Sequence, residues 1–359
     1  MEKENKNQHF VPEFYFKFFS EDEKTIRGYF LKSKKHYKGL FSNQASKDYF
    51  YSRNTEIEKS FSPIEGRFNA VLKKIIESDS FLGMKNLDYL EMLRFISFQH
   101  NRTEYSKKQA DDFIDKFYDN AIKPLMKSNK ELMSKVSEED VDKTRFIYPA
   151  GFLIGIIYAL ESNILLTDLV PILILNKTDK DFIFSDNPVV FYNLIYRDPS
   201  HSFEGIQSPG LLVFCPISPK HCIFLYDPEY YNSKCNENNS FNLEYEQDIF
   251  NINKLQFHKS LSNIYYGDEK SKELINKLSE EFFFKYSKNE DLSQIKEVKN
   301  WDGTNNSLLV SSGKGIPEKL EFNFLICGKW KQSVLVRRNV KLCELLDEKM
   351  KMYSLDKKL

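Results

Sequence analysis

No two of the five cysteines in this sequence stand in C-x-x-C spacing. Cys215 and Cys222 flank PISPKH, a poor spacing for zinc, and Cys235, Cys327 and Cys343 are scattered. Such a set predicts reduced thiols in a cytoplasmic protein. Net charge is missing too: Lys plus Arg and Asp plus Glu are each 52. That balance argues against a general nucleic-acid coat protein, though it leaves a local basic groove open. The charged start MEKENKNQ predicts a chain without a secretory leader. The longest oily run, Phe146 to Leu160, is 15 residues and is closed by Arg145 and Glu161. It falls short of the roughly 20 residues that span a bilayer, so it reads as a buried helix. Also absent are the phosphate-cradling GxxxxGK, a GxGxxG after a strand, the GxSxG elbow, HExxH and any evident Ser-His-Asp arrangement.

What is abundant is rings. The 31 Phe and 20 Tyr imply a sizeable core in a chain of 359 residues. Pro12 suits a first helical turn, and Phe10, Phe14 and Phe18 recur every fourth residue, as do Val11, Tyr15 and Phe19. His9 therefore sits just ahead of a short buried helix. Residues 24–41 and KDYFYS predict a small meander. Helical periodicity then predicts helices over about 56–78, 86–105, 106–127 and 144–163, with a surface loop or extra helix before the last. From Asp168 the text turns to strands: LVPILILN, DFIFS, VVFYNL, GLLVFCPI and HCIFLYD. Helices over about 245–259 and 269–286 enclose a strand, NIYYGD. A polar run at 287–306 reads as a linker, SLLVSS and KLEFNFLIC as strands, and VKLCELLDEKMKMY as a terminal helix. The expected fold is α+β, a helical N-terminal half packed on a mainly antiparallel sheet with flanking helices. Residues 1–290 form its core, helical over about 54–165 and β-rich over about 166–290, and 291–359 form a C-terminal strand and helix extension.

Four stretches embed polar residues in apolar text. In QHFVPEF, the helix following His9 would keep its imidazole neutral, fit for a metal or for proton transfer. The ring could equally fix the chain entry by bonding a carbonyl. In EIEKSFSPIEG, Glu58 and Glu65 are seven residues apart, on one helix face but about 10.5 Å along it. They line a groove, or only one is catalytic, unless Pro63 breaks the helix. In FISFQHNR, Gln99 and Arg102 face the same way, and Arg102 either binds a phosphate or carboxylate or pairs with Glu58 or Glu65. In FSDNPV, Asp186 either closes a turn or projects from a strand end into a cleft.

These stretches, followed by PISP, occur in this order in the domain-of-unknown-function family numbered 4238, which the sequence resembles over about residues 7–267. The resemblance implies that His9, Pro12, Gln99, Arg102, Asp186, Asn187 and Pro188 occupy motif positions, with Glu58 and Glu65 in a looser pattern. It implies no reaction. It suggests a stand-alone bacterial accessory protein, with phage defence as the setting. The residue mix of one His, carboxylates, a Gln and an Arg leads to the expectation of a metal-assisted phosphodiester hydrolase, nuclease-like. His9, Asp186 and Glu65 would hold Mg²⁺ or Mn²⁺, with Glu58 alongside. Gln99, Arg102, Gln8 and Asn187 would bind the phosphate of a nucleic acid or nucleotide. The alternative is a non-catalytic module for a small anionic ligand, nucleic acid or a protein partner. The basic C-terminal segment, with Arg337, Arg338 and Lys341, would dock that partner or a second copy of the chain. A third possibility leaves the four stretches with a purely architectural role.

Overall fold

The computed structural model describes residues 6–53, 56–145, 151–198, 201–285, 293–299, 307–313, 315–328 and 337–355. Its centre is a five-stranded sheet. Strand Val170–Asn176 lies between Ser240–Leu243, its parallel neighbour, and His221–Tyr226, which is antiparallel to it. Leu211–Ser218 and Val190–Asn193 complete the antiparallel side. Side chains alternate faces along a strand, and both faces here are covered, so the strands read as unbroken apolar runs. Leu173, Leu175, Val213, Cys215 and Leu225 point to one core, and Ile172, Ile174, Leu212, Phe214 and Phe224 point to the other.

The first core receives the helical half. Helices Glu56–Ser78, Asn86–Asn101 and Gly151–Glu161 bring Phe68, Leu72, Phe95, Phe98 and Phe152 against the sheet. Helix Glu104–Phe117 follows the second of these after one turn. The short helix Glu13–Lys17 is wedged between the layers, with Tyr15 and Phe16 fully buried. A smaller four-stranded sheet, ordered Lys35–Leu40, Thr25–Phe30, Asn263–Tyr266 and Phe184–Ser185, packs helix Ser271–Lys285 around a third core. The architecture is α+β, with one parallel strand pair in the main sheet. Among the described residues no helix is long and apolar enough to cross a membrane.

Several expected elements differ. Pro63 does not break its helix, which runs unbroken from Glu56 to Ser78. The 106–127 pattern is a helix to Phe117, a wider turn over Tyr118–Ile122 and a short helix Lys123–Ser128. KDYFYS contributes only the end of strand Ser46–Asp48, which pairs with Asn7–His9. In the polar run 287–306, Ser293–Lys299 pairs with Ser307–Gly313, so a hairpin strand replaces part of the linker. The rest of that run and residues 146–150 of the oily run lie outside the described residues.

The segment following the hairpin is built into the second core. Ile316, Leu320, Phe322, Phe324 and Leu325 are all buried there, and Leu325–Cys327 pairs with strand Tyr231–Ser233. Burying five such side chains contributes on the order of 10 kcal/mol as an upper bound. The terminal helix Val340–Leu355 docks through Cys343 and Leu346 beside Leu165. Arg338, expected on a basic docking surface, is 8 % exposed and turned inward. It donates to Asp168 at 3.1 Å and to the carbonyls of Leu165 and Ile206.

Candidate active site

Strand Asn7–His9 enters between the helical half and residues 46–52. Its backbone is held from both sides. Gln8 is fully buried: its carbonyl oxygen accepts from Tyr51 N at 2.7 Å and its amide donates to Ser52 O at 2.8 Å. The His9 carbonyl accepts from the Tyr51 hydroxyl at 2.9 Å and from Arg102 Nη2 at 2.5 Å. The Phe10 carbonyl accepts from Gln99 Nε2 at 2.9 Å. The side chains of FQHNR thus clasp the main chain of QHFVP.

Arg102 closes helix Asn86–Asn101, donating its own N–H to Phe98 O. Its guanidinium lies over the Phe98 ring, 4.8 Å from the centroid, and is 0 % exposed. Besides His9, it donates through Nε to Tyr51 at 2.8 Å and through Nη1 to Glu65 at 2.5 Å. All three nitrogens are engaged within the protein, so Arg102 presents no fork to a phosphate. Gln99 is fully buried, and Asn187 is 1 % exposed and bonded to the Thr103 hydroxyl at 3.1 Å. The four residues expected to grip an anion, Gln8, Gln99, Arg102 and Asn187, instead position the chain.

Outside this clasp is a cleft of about 350 Å³ lined by His9, Glu13, Glu58 and Glu65, with Pro12 and Ser62 between them. The unbroken helix puts Glu58 and Glu65 along one wall, as their spacing requires. His9 Nε2 is buried, has no hydrogen-bond partner among the described residues, and lies 3.6 Å from Glu13 Oε1. Burial holds its imidazole below the ordinary value of 6.5, against an opposite pull from Glu13. Glu58 accepts from the His9 N–H at 3.4 Å through Oε1, while Oε2 is buried without a partner among the described residues. Burial raises the Glu58 carboxyl above its ordinary value of 4.5, in spite of Arg102. The cleft therefore holds a neutral base and a carboxyl that keeps its proton unusually well.

Asp186 is not part of this cleft. It is 3 % exposed, and its carboxylate accepts from the backbone N–H of Leu261, Ser262 and Asn263 at 2.9, 2.7 and 3.0 Å. It borders a different cavity of about 590 Å³, shared with Tyr37, Asn263 and Tyr265. Its turn-closing role has prevailed over the strand-end ligand. The set His9, Asp186 and Glu65 is thus not assembled, and no three His, Cys, Asp or Glu side chains among the described residues are grouped to hold a metal ion. Two participants went unforeseen. Tyr51, in the modest run KDYFYS, joins Arg102 to His9. Glu13, one residue past the HFVP motif, faces the imidazole. An i, i+4 spacing from His9 to Glu13 was the available signal.

No curated protein and no solved structure is similar enough to this chain to count as a match. One family model does match, over residues 7–270, and it carries the description "Protein of unknown function (DUF4238)". That span includes all four motif stretches and most of the chain, so the protein belongs to the DUF4238 family.

Proposed function

We propose that the protein is a phosphodiester hydrolase, acting on nucleic acid or a nucleotide, with His9 and Glu58 as its proton-transfer pair. One observation carries the reading: two buried, unpartnered polar atoms, His9 Nε2 and Glu58 Oε2, belong to groups that burial pulls toward opposite roles in a single cleft. A buried imidazole that stays neutral beside a buried carboxyl that holds its proton can serve as base and acid. Imidazole takes a proton from water, and the Glu58 carboxyl gives one to the departing oxygen. Arg102, Tyr51 and Glu65 fix the His9 main chain and so the position of the ring.

A phosphodiester brings negative charge to a lining of three carboxylates, Glu13, Glu58 and Glu65. A divalent ion such as Mg²⁺ or Mn²⁺, if it entered with the substrate, would offset that repulsion and polarise the phosphoryl oxygen. Glu13, half exposed in the cleft lining, is the group that would receive it in place of Asp186, which leaves His9 and Glu58 free for proton transfer. The same proposal sets the protein in the cytoplasm, where its five free thiols stay reduced, as an effector against phage nucleic acid. The test is cleavage of RNA and DNA with Mg²⁺ or Mn²⁺. His9→Ala and Glu58→Gln should each lower the rate by about a hundredfold or more. Cleavage that survives both changes ends the proposal.

A second reading, a binding module without turnover, is favoured by the carboxylate lining. On that reading the ligand is a cation, the reverse of the anion expected from the sequence.

A further inference from the structure

We propose that Ser218, His221 and Asp79 form a second catalytic centre, a serine-nucleophile hydrolase of small carboxylic esters. The three residues come from one tight turn and one helix end. Strand Leu211–Ser218 turns through Pro219 and Lys220 into strand His221–Tyr226, which sets Ser218 opposite His221. Asp79 directly follows helix Glu56–Ser78 in a left-handed conformation, φ 50°, and this aims it across at the hairpin.

Ser218 Oγ is 2.6 Å from His221 Nδ1, and His221 Nε2 is 2.6 Å from Asp79 Oδ1. Ser218 Oγ also accepts from the Lys220 N–H at 3.1 Å. An assignment that satisfies all three groups has the hydroxyl proton directed at Nδ1 and the ring proton, on Nε2, directed at Asp79. That is a nucleophile hydrogen-bonded to its base, with the base oriented by a third group. The two ring nitrogens are exchanged relative to the familiar serine triad, in which Nε2 faces the serine. Either nitrogen of a neutral imidazole can take the proton while the other donates.

His221 and Asp79 open on a cavity of about 570 Å³ with Thr178, Lys177 and Lys220 on its walls, and it shares no residue with the His9 cleft. Ser218 itself is 5 % exposed and does not line this cavity, so only a small acyl group would reach its Oγ. In the reaction Oγ forms a bond to the ester carbonyl carbon as its proton passes to Nδ1. The C–O bond to the alcohol breaks, and the alcohol leaves with that proton. Water, deprotonated by the same nitrogen, then releases the acid and restores the serine.

The test is labelling of the full chain by a small fluorophosphonate, with the adduct located by peptide mass spectrometry. The expected result is one adduct on Ser218, absent in Ser218→Ala and formed roughly a hundredfold more slowly in Asp79→Asn. Asp79 is more than half exposed, so that variant stays folded, which a thermal melt verifies. An unlabelled wild type, an adduct elsewhere, or an unchanged rate in folded Asp79→Asn overturns the proposal. None of these results depends on nuclease activity.

Discussion

Arg102 is the residue on which the N-terminal motif rests. It is among the largest fully buried side chains, and its partners come from three separate segments: His9, Tyr51 and Glu65. Arg102→Ala removes the guanidinium, leaves Glu65 facing a void and frees the His9 carbonyl. A loss of about 3–5 kcal/mol is expected in urea denaturation, the range for breaking one side of a buried pair. Arg102→Lys keeps the charge but not the fork, so it should recover less than half of that. A small loss in both would mean that the clasp is not structural.

His100, in the same motif, makes a second residue-scale prediction. Its ring stacks on Phe191 at 3.8 Å, its Nδ1 donates to Val189 O at 3.0 Å, and burial pushes it down to about 4 from 6.5. Between those two values the unfolded chain binds a proton that the folded protein refuses, so stability rises with pH across that window. Acidification from pH 6.5 to about 4 should therefore remove on the order of 3 kcal/mol. His100→Gln should flatten that part of a stability–pH curve measured by denaturant melts.

Among elements, those with an uninterrupted period were legible. Helix Glu56–Ser78 has apolar residues at 61, 68, 71, 72 and 75, a 3.6-residue stripe that Pro63 does not disturb. The main-sheet strands showed as apolar runs because both faces are covered. Strand Asn7–His9 was not legible: three residues carry no period, and only pairing with Ser46–Asp48 defines it. Asp186 failed for a similar reason. Its partners lie 75 to 77 residues onward in the chain, so the local text SDNP could not tell a satisfied turn from an open ligand. The Glu58–Glu65 wall was readable from spacing alone, whereas the Arg102–Tyr51–His9 clasp depends on three distant segments meeting.

The segment around Ile316 to Cys327 belongs to the extension that the sequence predicts, and its side chains finish the second core. Deleting everything after residue 290 exposes the sheet face under Phe214 and Phe224. The apolar burial lost is comparable with the entire stability of a typical domain, about 5–15 kcal/mol. The truncated chain should be aggregated or molten by near-UV circular dichroism, and a sharp cooperative melt near the full-length value would contradict this. At Gly267 a Cβ would sit 2.3 Å from the Phe19 carbonyl oxygen. Gly267→Ala should thus weaken the packing of the N-terminal helix against the small sheet, lowering the melting temperature by several degrees.

Taken whole, the molecule joins a helical layer to a sheet, and its sequence motifs lie along that junction. Zero net charge fits the outcome, since the Arg102 guanidinium is internal and the His9 cleft is acidic. On the proposed function, a substrate anion must bring its own counter-charge. Cleavage should accordingly depend on a divalent ion and stop in EDTA, returning when Mg²⁺ or Mn²⁺ is restored.

The pH–rate profile of cleavage, recorded for wild type and Glu58→Gln, tests the acid–base pair most directly. His9 must be unprotonated and Glu58 protonated, with His9 lowered from 6.5 and Glu58 raised from 4.5. The rate should therefore form a bell, and its alkaline limb should vanish in Glu58→Gln. A rate that climbs steadily through pH 8 and is unaltered by Glu58→Gln would contradict the account.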